Sequence, residues 1–483
     1  MKSRAIDGAL ATIAVILLAW MMAVQSSSTD TPTATALDVR QLELQPRLWD
    51  AQQALPDDIR GTIGLTDSDS SVDDPNNVLG SVTEVVRGVY EQVDLHYAWS
   101  FEMQTVGIAI ALALGETESV QRRISGLGPP SELDGSERDV VFELAALARR
   151  EAPQSFVVVD NHLKGLGAST WLRSKLKAKV LAVEGKSVEA ADLQEEAEDA
   201  NGSYVQKMTA LVLLTMVFFV LGLLLLLSAP WLSRALVRRG HSGLSITSSP
   251  FEGKHTMRVV AAWFLFYACS HVVISLAMML LGPFVSQGPL SIATVSLLHG
   301  GASIVLIQTF GRLEGDNRSL GECLRFRVAD ASGGWGSFIL WVLGGFALTV
   351  AIAVVAVFVN EAIRGDALDQ QSSIQLFAQA QGGADLILLL TAVCLFAPVF
   401  EEILFRGFLY RNLRDRFGPW LGLSLSSFIF AVAHLDMSNM IPLFAIGFAF
   451  GLSYERSGSL WVPVIIHALW NSSTVVRILS LLG

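Results

Sequence analysis

The sequence predicts an all-α fold: a polytopic membrane helical bundle of about nine spans, including an N-terminal anchor, with a helical extramembrane domain. Of the 483 residues, 52% are hydrophobic and only 16% are charged, whereas about a quarter of the residues of a soluble domain are charged. The apolar residues are concentrated in one run near the N-terminus and in eight segments after residue 206. Lipid offers no partner to a free backbone amide, so each spanning segment is expected to be a helix.

The first apolar run covers residues 9–24 and follows Lys2 and Arg4. A basic start before such a run is typical of a secretory signal peptide or of an uncleaved signal anchor. The residues at its end, Ala23-Val24-Gln25, make a poor cleavage site. We therefore favour an anchor over residues 1–24, with a cleaved signal peptide as the alternative.

Residues 25–206 have the composition of a soluble domain. They contain 30 acidic and 15 basic residues, a net charge of −15, whereas the rest of the chain carries +4. This charge argues against nucleic acid as a partner, because such binding needs a basic face. The pattern is mostly helical, Ser136 and Asp139 resemble a helix N-cap, and the apolar stretch 106–114 is too short to span a bilayer and suits a core. An acidic helical extracytoplasmic domain is predicted, and an extracytoplasmic partner for it stays open.

Eight apolar segments follow, several with the roughly 20 residues that a helix needs to cross a bilayer. Basic residues cluster in every second connecting loop, which the positive-inside rule places in the cytoplasm. The N-terminus is then cytoplasmic, and residues 25–206 lie outside a cell (inner) membrane. We assign 207–335 to transmembrane helices with basic cytoplasmic loops and 336–483 to a C-terminal domain. The apolar segments cover about 208–228, 258–282, 289–310, 336–359, 386–409, 419–435, 440–455 and 460–478.

Ionisable residues inside these segments are the first functional candidates, because a charged side chain in lipid costs roughly 2.5–3.5 kcal/mol. The strongest cluster is Glu401, Glu402 and Arg406. Residues four apart share a helix face, whereas neighbours point about 100° apart. Glu402 is therefore expected to pair with Arg406 and Glu401 to point elsewhere. The alternative is a set of interfacial charges at a helix end.

Two later segments carry side chains at the same helical spacing, Phe430 with His434 and His467 with Asn471. A carboxylate such as Glu401 and a histidine can activate a water by general-base catalysis. A second histidine and an amide can donate hydrogen bonds to an oxyanion. Alternatively, Glu401, His434 and His467 could ligate Zn²⁺, which lowers the pKa of a bound water. Both alternatives predict attack of water on a carbonyl.

These residues form three ordered motifs that resemble the signature of the CPBP intramembrane proteases. The family is also called the CAAX-processing or Abi proteases, and it includes the type II prenyl-protein endopeptidases. The resemblance covers residues 386–473, so that 336–483 is interpreted as a CPBP-like intramembrane protease domain. The motifs are Glu401-Glu402-x-x-x-Arg406, Phe430-x-x-x-His434 and His467-x-x-x-Asn471.

The resemblance implies a role for each motif residue. Glu401 and His434 would activate the attacking water, and His467 and Asn471 would stabilise the oxyanion. The family has been described both as metal-dependent and as glutamate-type, so Zn²⁺ as a cofactor stays open. Supporting roles are implied for three further residues: Glu402, Arg406 and Phe430.

We expect an intramembrane endopeptidase that hydrolyses peptide bonds of a membrane-associated protein or peptide within or at the edge of the bilayer. One alternative is a non-proteolytic membrane scaffold or maturation partner with the same fold. Another is an ion- or proton-coupled transporter, which ranks lower because no internal repeat is visible. His299 is interpreted as structural, and Gly447 with Gly451 as a close helix contact.

Overall fold

The computed structural model describes residues 82–97, 100–127, 133–238, 249–251, 255–281, 289–311, 319–326, 334–364 and 383–482, together with Phe377 and a few positions between Val39 and Asp50. Over these ranges the chain is helical with short connecting turns, which confirms the predicted all-α fold. The predicted anchor over residues 1–24 lies outside the described residues. The helices fall into two compact units: an N-terminal unit up to Leu211, with which the last described residues from Arg477 are grouped, and a C-terminal unit over Val212–Val476.

Among the residues that the structure describes from Val82 to Val183, six helices of 9 to 16 residues belong to the N-terminal unit. The division between the two units, and the boundary predicted at residue 206, both fall inside the helix that comes next, α7. The helices are α1 (Val82–Tyr97), α2 (Phe101–Leu114), α3 (Glu118–Gly126), α4 (Gly135–Ala148), α5 (Phe156–Gly165), α6 (Thr170–Val183) and α7 (Ser187–Arg238).

Helix α2 is the centre of the N-terminal unit. From Val106 to Leu114 it is apolar on all sides, and a helix of that kind is buried on all sides. Val106, Ile108 and Ile110 are each 0% exposed, which confirms that the short apolar stretch belongs to a core. The side chain of Ser100 accepts a hydrogen bond from the amide of Met103 at the start of α2.

The N-cap predicted at Ser136 and Asp139 is wrong by two residues. Asp134 is the N-cap of α4: its carboxylate accepts a hydrogen bond from the amide of Glu137 at 2.7 Å, and the Glu137 carboxylate accepts one from the amide of Asp134 at 3.0 Å. Ser136 lies inside the first turn, where its hydroxyl donates to Asp134. Asp134 rather than Ser136 is the N-cap because it can form this reciprocal capping box with Glu137.

The C-terminal unit contains the later apolar segments, and each predicted segment lies in a helix. A π-helical turn over Ile307–Gly311 follows α9. The helices are α8 (Thr256–Leu281), α9 (Pro289–Leu306), α10 (Leu320–Leu324), α11 (Gly334–Arg364), α12 (Gly383–Phe417), α13 (Pro419–Ala433), α14 (Met440–Ser457) and α15 (Trp461–Leu482).

Within the described part of the chain, four helical stretches are long and apolar enough to cross a membrane. Helices α8, α9 and α13 contribute shorter apolar stretches over Thr256–Ser270, Ser296–Phe310 and Pro419–Ala433. The four long stretches are Ser187–Ser228, Trp335–Ile363, Gly383–Phe417 and Trp461–Ser480.

Two sections of α12 are wound as π-helix, Ala392–Phe396 and Ile403–Tyr410. A π-helical turn carries an extra residue, and such turns occur often at functional sites. All eight residues of the second section are buried. The wider winding therefore brings a continuous ring of side chains, including Arg406, into the interior of the C-terminal unit.

Glycines let several helices of this unit approach closely. A Cβ atom on Gly451 of α14 would lie 2.3 Å from Cδ1 of Leu423 in α13, and one on Gly447 would lie 2.9 Å from the Phe430 ring. On Gly345 of α11 it would lie 2.4 Å from Ile466. The interpretation of Gly447 and Gly451 as a close helix contact is confirmed, as expected for small residues between membrane helices.

The half-buried imidazole of His162 makes the stability of the N-terminal unit depend on pH. Burial holds the pKa of His162 below its ordinary value. Its Nε2 lies 2.9 Å from Oγ1 of Thr105, whose hydroxyl already donates to the carbonyl of Glu102. Nε2 therefore donates to Thr105, an arrangement that the neutral ring can keep.

We expect the N-terminal unit to lose stability as the pH falls from 7.5 to 5.5. The unfolded chain takes up the histidine proton first, below about pH 6.5, so protonation favours unfolding. His162→Gln should lose less stability over the same interval. Pulse proteolysis in urea measures the stability of the wild-type chain and of His162→Gln at each pH, and the cleavage fragments are mapped to residues 101–183. An equal pH dependence of the two chains would contradict this origin of the effect.

Candidate active site

A buried ion pair organises the site. Nη1 of Arg406 donates to Oε1 of Glu402 at 2.9 Å, and the two side chains are 1% and 0% exposed. This is the pairing predicted from the spacing of four residues. A buried charge without a partner is very costly, so the two residues depend on each other.

Two other helices complete the surroundings of the Arg406 guanidinium. Nη2 donates to the backbone carbonyl of Gly447 in α14 at 2.8 Å. The guanidinium carbon lies 4.3 Å from the centre of the Phe430 ring and 5.4 Å from that of Phe450. An aromatic face attracts such a cation. The predicted supporting residues Glu402, Arg406 and Phe430 thus lie in one cluster.

His467 extends this cluster towards α15. Its Nδ1 lies 3.0 Å from Oε1 of Glu402, and its ring stacks on Phe450 with centres 4.7 Å apart. A carboxylate that is paired with an arginine can only accept, so Nδ1 of His467 carries the hydrogen. The bond fixes the ring orientation and leaves Nε2 directed away from Glu402.

The second glutamate points elsewhere, as the sequence predicted. Oε2 of Glu401 lies 4.0 Å from Nε2 of His434 and 3.9 Å from Nε2 of His467. Both separations exceed hydrogen-bond length, and this oxygen is buried without a direct hydrogen bond from the described residues. Three helices thus direct one carboxylate oxygen and two imidazole nitrogens to the same point.

His434 is held by the end of its own helix. Its Nδ1 lies 2.8 Å from the carbonyl oxygen of Phe430. Because a carbonyl can only accept, Nδ1 donates and Nε2 of the neutral ring keeps its lone pair. The next residue, Leu435, has a φ of 55°, a left-handed conformation that costs a side chain such as leucine roughly 1–2 kcal/mol. The reversal of the chain at this residue ends α13 directly behind the histidine.

Asn471 lies one helical turn after His467 and is engaged by α12. Its Nδ2 donates to the carbonyl of Val393 at 2.8 Å. Val393 belongs to the first π-helical section, where the changed winding redirects the backbone hydrogen bonds. The amide nitrogen has two hydrogens, and this bond uses one of them.

A cavity of about 270 Å³ opens beside Glu401 and His434. The motif residues provide one side of it, and α8 and α9 provide the other through Trp263, Tyr267 and His299. The structure therefore places His299, which we interpreted as structural, in the wall of the cavity. Sequence spacing alone could not connect α8 and α9 with the motif helices.

Sequence reasoning also missed a second buried polar cluster. Glu455 is 2% exposed and accepts two hydrogen bonds from Arg414, at 2.9 and 3.0 Å, and one from the hydroxyl of Tyr410 at 2.7 Å. The sequence signal that could have revealed this cluster is a glutamate in the last turn of α14. This cluster ties the end of α12 to α14.

The three residues that could ligate zinc do not fit it as they are placed. Two ligands of a tetrahedral zinc at 2.0–2.1 Å lie about 3.3 Å apart, whereas Glu401 lies 4.0 and 3.9 Å from the two histidines. Among the described residues, no three His, Cys, Asp or Glu side chains form a group that could hold a metal ion.

Removal of one member of the buried ion pair should destabilise the protein strongly. Glu402→Gln leaves the Arg406 cation buried without its counter-charge, which costs about 3–5 kcal/mol. The double variant Glu402→Leu/Arg406→Leu should recover much of this loss, because an apolar replacement of a buried pair is often neutral. Thermal and denaturant unfolding in detergent measure both.

The exposed pair Arg149 and Glu151 provides the control, because it has the same N···O distance of 2.9 Å. Glu151→Gln should change the free energy of unfolding by no more than about 1 kcal/mol. Equal losses for Glu151→Gln and Glu402→Gln would show that burial does not determine the effect.

Comparison with known proteins supports the resemblance that the motifs suggested. Residues 383–473 match the family model of the Rce1-like type II CAAX prenyl endopeptidases. No solved structure matches the chain.

Three curated relatives match about a quarter of the chain. The chain is 26% identical over 141 residues to the putative membrane peptidase YdiL of Bacillus subtilis (29% of this chain, 57% of that protein). It is 30% identical over 144 residues to the membrane-embedded CAAX protease MroQ of Staphylococcus aureus (29% of this chain, 57% of that protein). It is 33% identical over 123 residues to an uncharacterized 24.3 kDa protein of Escherichia coli (24% of this chain, 56% of that protein). The chain spans little more than half the length of each relative. Residues 383–473, which hold the two glutamates and both histidine motifs, are a domain of the CPBP family.

Proposed function

We propose that this protein is an intramembrane endopeptidase that hydrolyses a peptide bond of a membrane-associated protein or peptide within or at the edge of the bilayer. One observation carries the proposal. The Glu401 carboxylate points at two imidazole nitrogens, at 4.0 and 3.9 Å, beside a cavity between apolar helices. A separation of that size accommodates a water that hydrogen bonds to both Glu401 and His434 at about 2.8 Å.

In the proposed reaction Glu401 is the general base. It takes a proton from the water while Nε2 of His434 orients it, and the water oxygen bonds to the carbonyl carbon. The carbonyl oxygen then carries the negative charge. As the C–N bond breaks, Glu401 returns the proton to the leaving amine, so atoms and charges balance. We propose that Glu401 acts on the water without zinc, because Glu401 lies farther from the two histidines than two ligands of a tetrahedral zinc lie from each other.

His467 and Asn471 are the proposed oxyanion donors. His467, which donates to Glu402 from Nδ1, can donate from Nε2 when both of its ring nitrogens carry a hydrogen. Asn471 can donate the amide hydrogen that Val393 does not use. Glu402, Arg406 and Phe430 then act on the reaction through the orientation of the two histidines.

The membrane location agrees with the relative named a membrane-embedded CAAX protease and with the long apolar helices. We propose an inner-membrane location with a cytoplasmic N-terminus and an extracytoplasmic segment 25–206. The support is the alternation of basic loops, since the positive-inside rule depends on arginine and lysine in short loops. Residues 25–206 are then available to a partner outside the cytoplasm.

Glu401→Gln and His434→Ala should each lower the rate of peptide cleavage by about 10²–10⁴-fold, the usual contribution of general-base catalysis. The substrate is first identified by comparing the membrane proteomes of wild-type and Glu401→Gln cells. Cleavage is then measured with purified protein in detergent. Glu361→Gln, a carboxylate of α11 outside the cavity lining, is the control and should keep the wild-type rate.

Survival of cleavage in both Glu401→Gln and His434→Ala would show that the assigned roles are wrong. Rescue of a deletion phenotype by Glu401→Gln would instead support a scaffold or maturation role. Ion flux in proteoliposomes that depends on Glu402 would support a transporter.

Two single cysteine substitutions test the orientation. A membrane-impermeant maleimide should label Glu189→Cys, an exposed residue of α7, in intact cells. It should label Arg416→Cys, exposed at the end of α12, only after lysis. The parent chain, which has three cysteines, gives the background. The opposite labelling pattern would reverse the proposed orientation.

A further inference from the structure

The cavity beside Glu401 has a wall that the family motifs do not provide. Ser296, His299, Gly300 and Ser303 line it from α9. Their spacing of three and four residues places them on one face of that helix. This wall lies outside residues 383–473, the part of the chain that matches the family model.

The part of the wall formed by α8 is rigid. Trp263 and Tyr267 stack with ring centres 5.4 Å apart, and the Trp263 indole donates to the backbone carbonyl of His299 at 3.3 Å. Nε2 of His299 lies 2.6 Å from the hydroxyl of Ser270, which itself donates to the Tyr267 carbonyl at 2.7 Å. The hydroxyl has one hydrogen, so it accepts from His299. This chain of bonds fixes the aromatic wall against α9.

At Gly300, α9 packs closely against α12, the helix that carries Glu401. A Cβ atom at this position would lie 2.1 Å from two carbons of the Phe400 ring. Phe400 directly precedes Glu401 and lines the same cavity. Any side chain at residue 300 must therefore move the Phe400 ring, and the room beside Glu401 changes with it. The next residue, Gly301, has open space at its Cβ position.

The cavity is larger than the attacking water requires. Its volume is about 270 Å³, far more than a single water needs. The lining is mainly aromatic and aliphatic, with polar atoms from Ser296, His299 and Ser303 on one side. Such a lining suits a large apolar side chain beside the bond that is cut.

We propose that the α9 wall, defined as Ser296, His299, Gly300 and Ser303, selects substrates of the proposed protease that carry a large apolar side chain next to the scissile bond. Gly300 determines the size of that side chain because it lets the Phe400 ring pack against the helix backbone. The inference rests on the proposed function, since it concerns the selectivity of the same site.

The test compares Gly300→Ala with Gly301→Ala, which add the same methyl group to adjacent residues of one helix. The probes are synthetic transmembrane peptides that differ at one central residue, Ala, Leu or Phe. Purified full-length protein in detergent should cut the Phe and Leu peptides faster than the Ala peptide. Gly300→Ala should lower the Phe to Ala ratio of cleavage rates by about tenfold, the effect of roughly one or two methylene groups in an apolar pocket. Gly301→Ala should keep the wild-type ratio.

A second position keeps the inference testable if Gly300→Ala fails to fold. Ser303 lines the cavity one turn further along α9, and its hydroxyl donates to the Gly300 carbonyl at 2.6 Å. Ser303→Leu should fill the cavity and lower the same ratio, whereas Val305→Leu, at an exposed residue of α9 outside the cavity lining, should not. Unchanged ratios in Gly300→Ala and Ser303→Leu would overturn the inference.

Photo-crosslinking separates the failure of this inference from failure of the proposed function. The same peptides, with benzoylphenylalanine at the central residue, are added to the intact full-length protein. After crosslinking the protein is digested, and the fragments that carry the peptide are mapped. Crosslinks to α8 and α9 that weaken in Gly300→Ala but not in Gly301→Ala would support the pocket even if no peptide is cut, in which case only the proposed function fails. Absence of crosslinks to either helix in the wild type would overturn the pocket.

Discussion

The buried pair between Glu402 and Arg406 is the constraint on which the rest of the C-terminal unit depends. Two full charges lie in the interior, so the pair depends on partners from the protein, although Oε2 of Glu402 is buried without a hydrogen bond from the described residues. Gly447 supplies a carbonyl, His467 an imidazole and Phe430 an aromatic face. Helices α13, α14 and α15 are thereby fixed around α12, and the direction of Glu401 follows from that arrangement.

The sequence was sufficient where the relevant contacts are local or repeat with the helix period. Apolar length predicted the helices, and a spacing of four residues predicted the Glu402–Arg406 pair and the separate direction of Glu401. The three motifs were enough to propose that Glu401, His434 and His467 share one site, and the structure brings them within 4.0 Å.

The sequence was insufficient where a contact joins distant segments or depends on backbone geometry. The Asn471 contact with Val393 crosses 78 residues and depends on a π-helical section that no periodicity argument predicts. The cavity wall from α8 and α9 has no motif, because its residues are aromatic, small or hydroxylic like those of many membrane helices. The N-cap of α4 could not be predicted either, although it is a local feature, because Asp134 and Ser136 are both residue types that cap helices.

The distances along the chain between Arg406 and its partners have a consequence for biosynthesis. The Gly447 carbonyl is 41 residues later than Arg406, and His467 is 65 residues later than Glu402. Both partners follow α12 along the chain and reach the membrane after it, and until then its charges oppose entry into lipid by roughly 2.5–3.5 kcal/mol each. We expect lasting burial of α12 to require α14 and α15, so that the last four helices enter the bilayer as one cooperative group. Truncation before α15 would then leave the insertion of α12 incomplete.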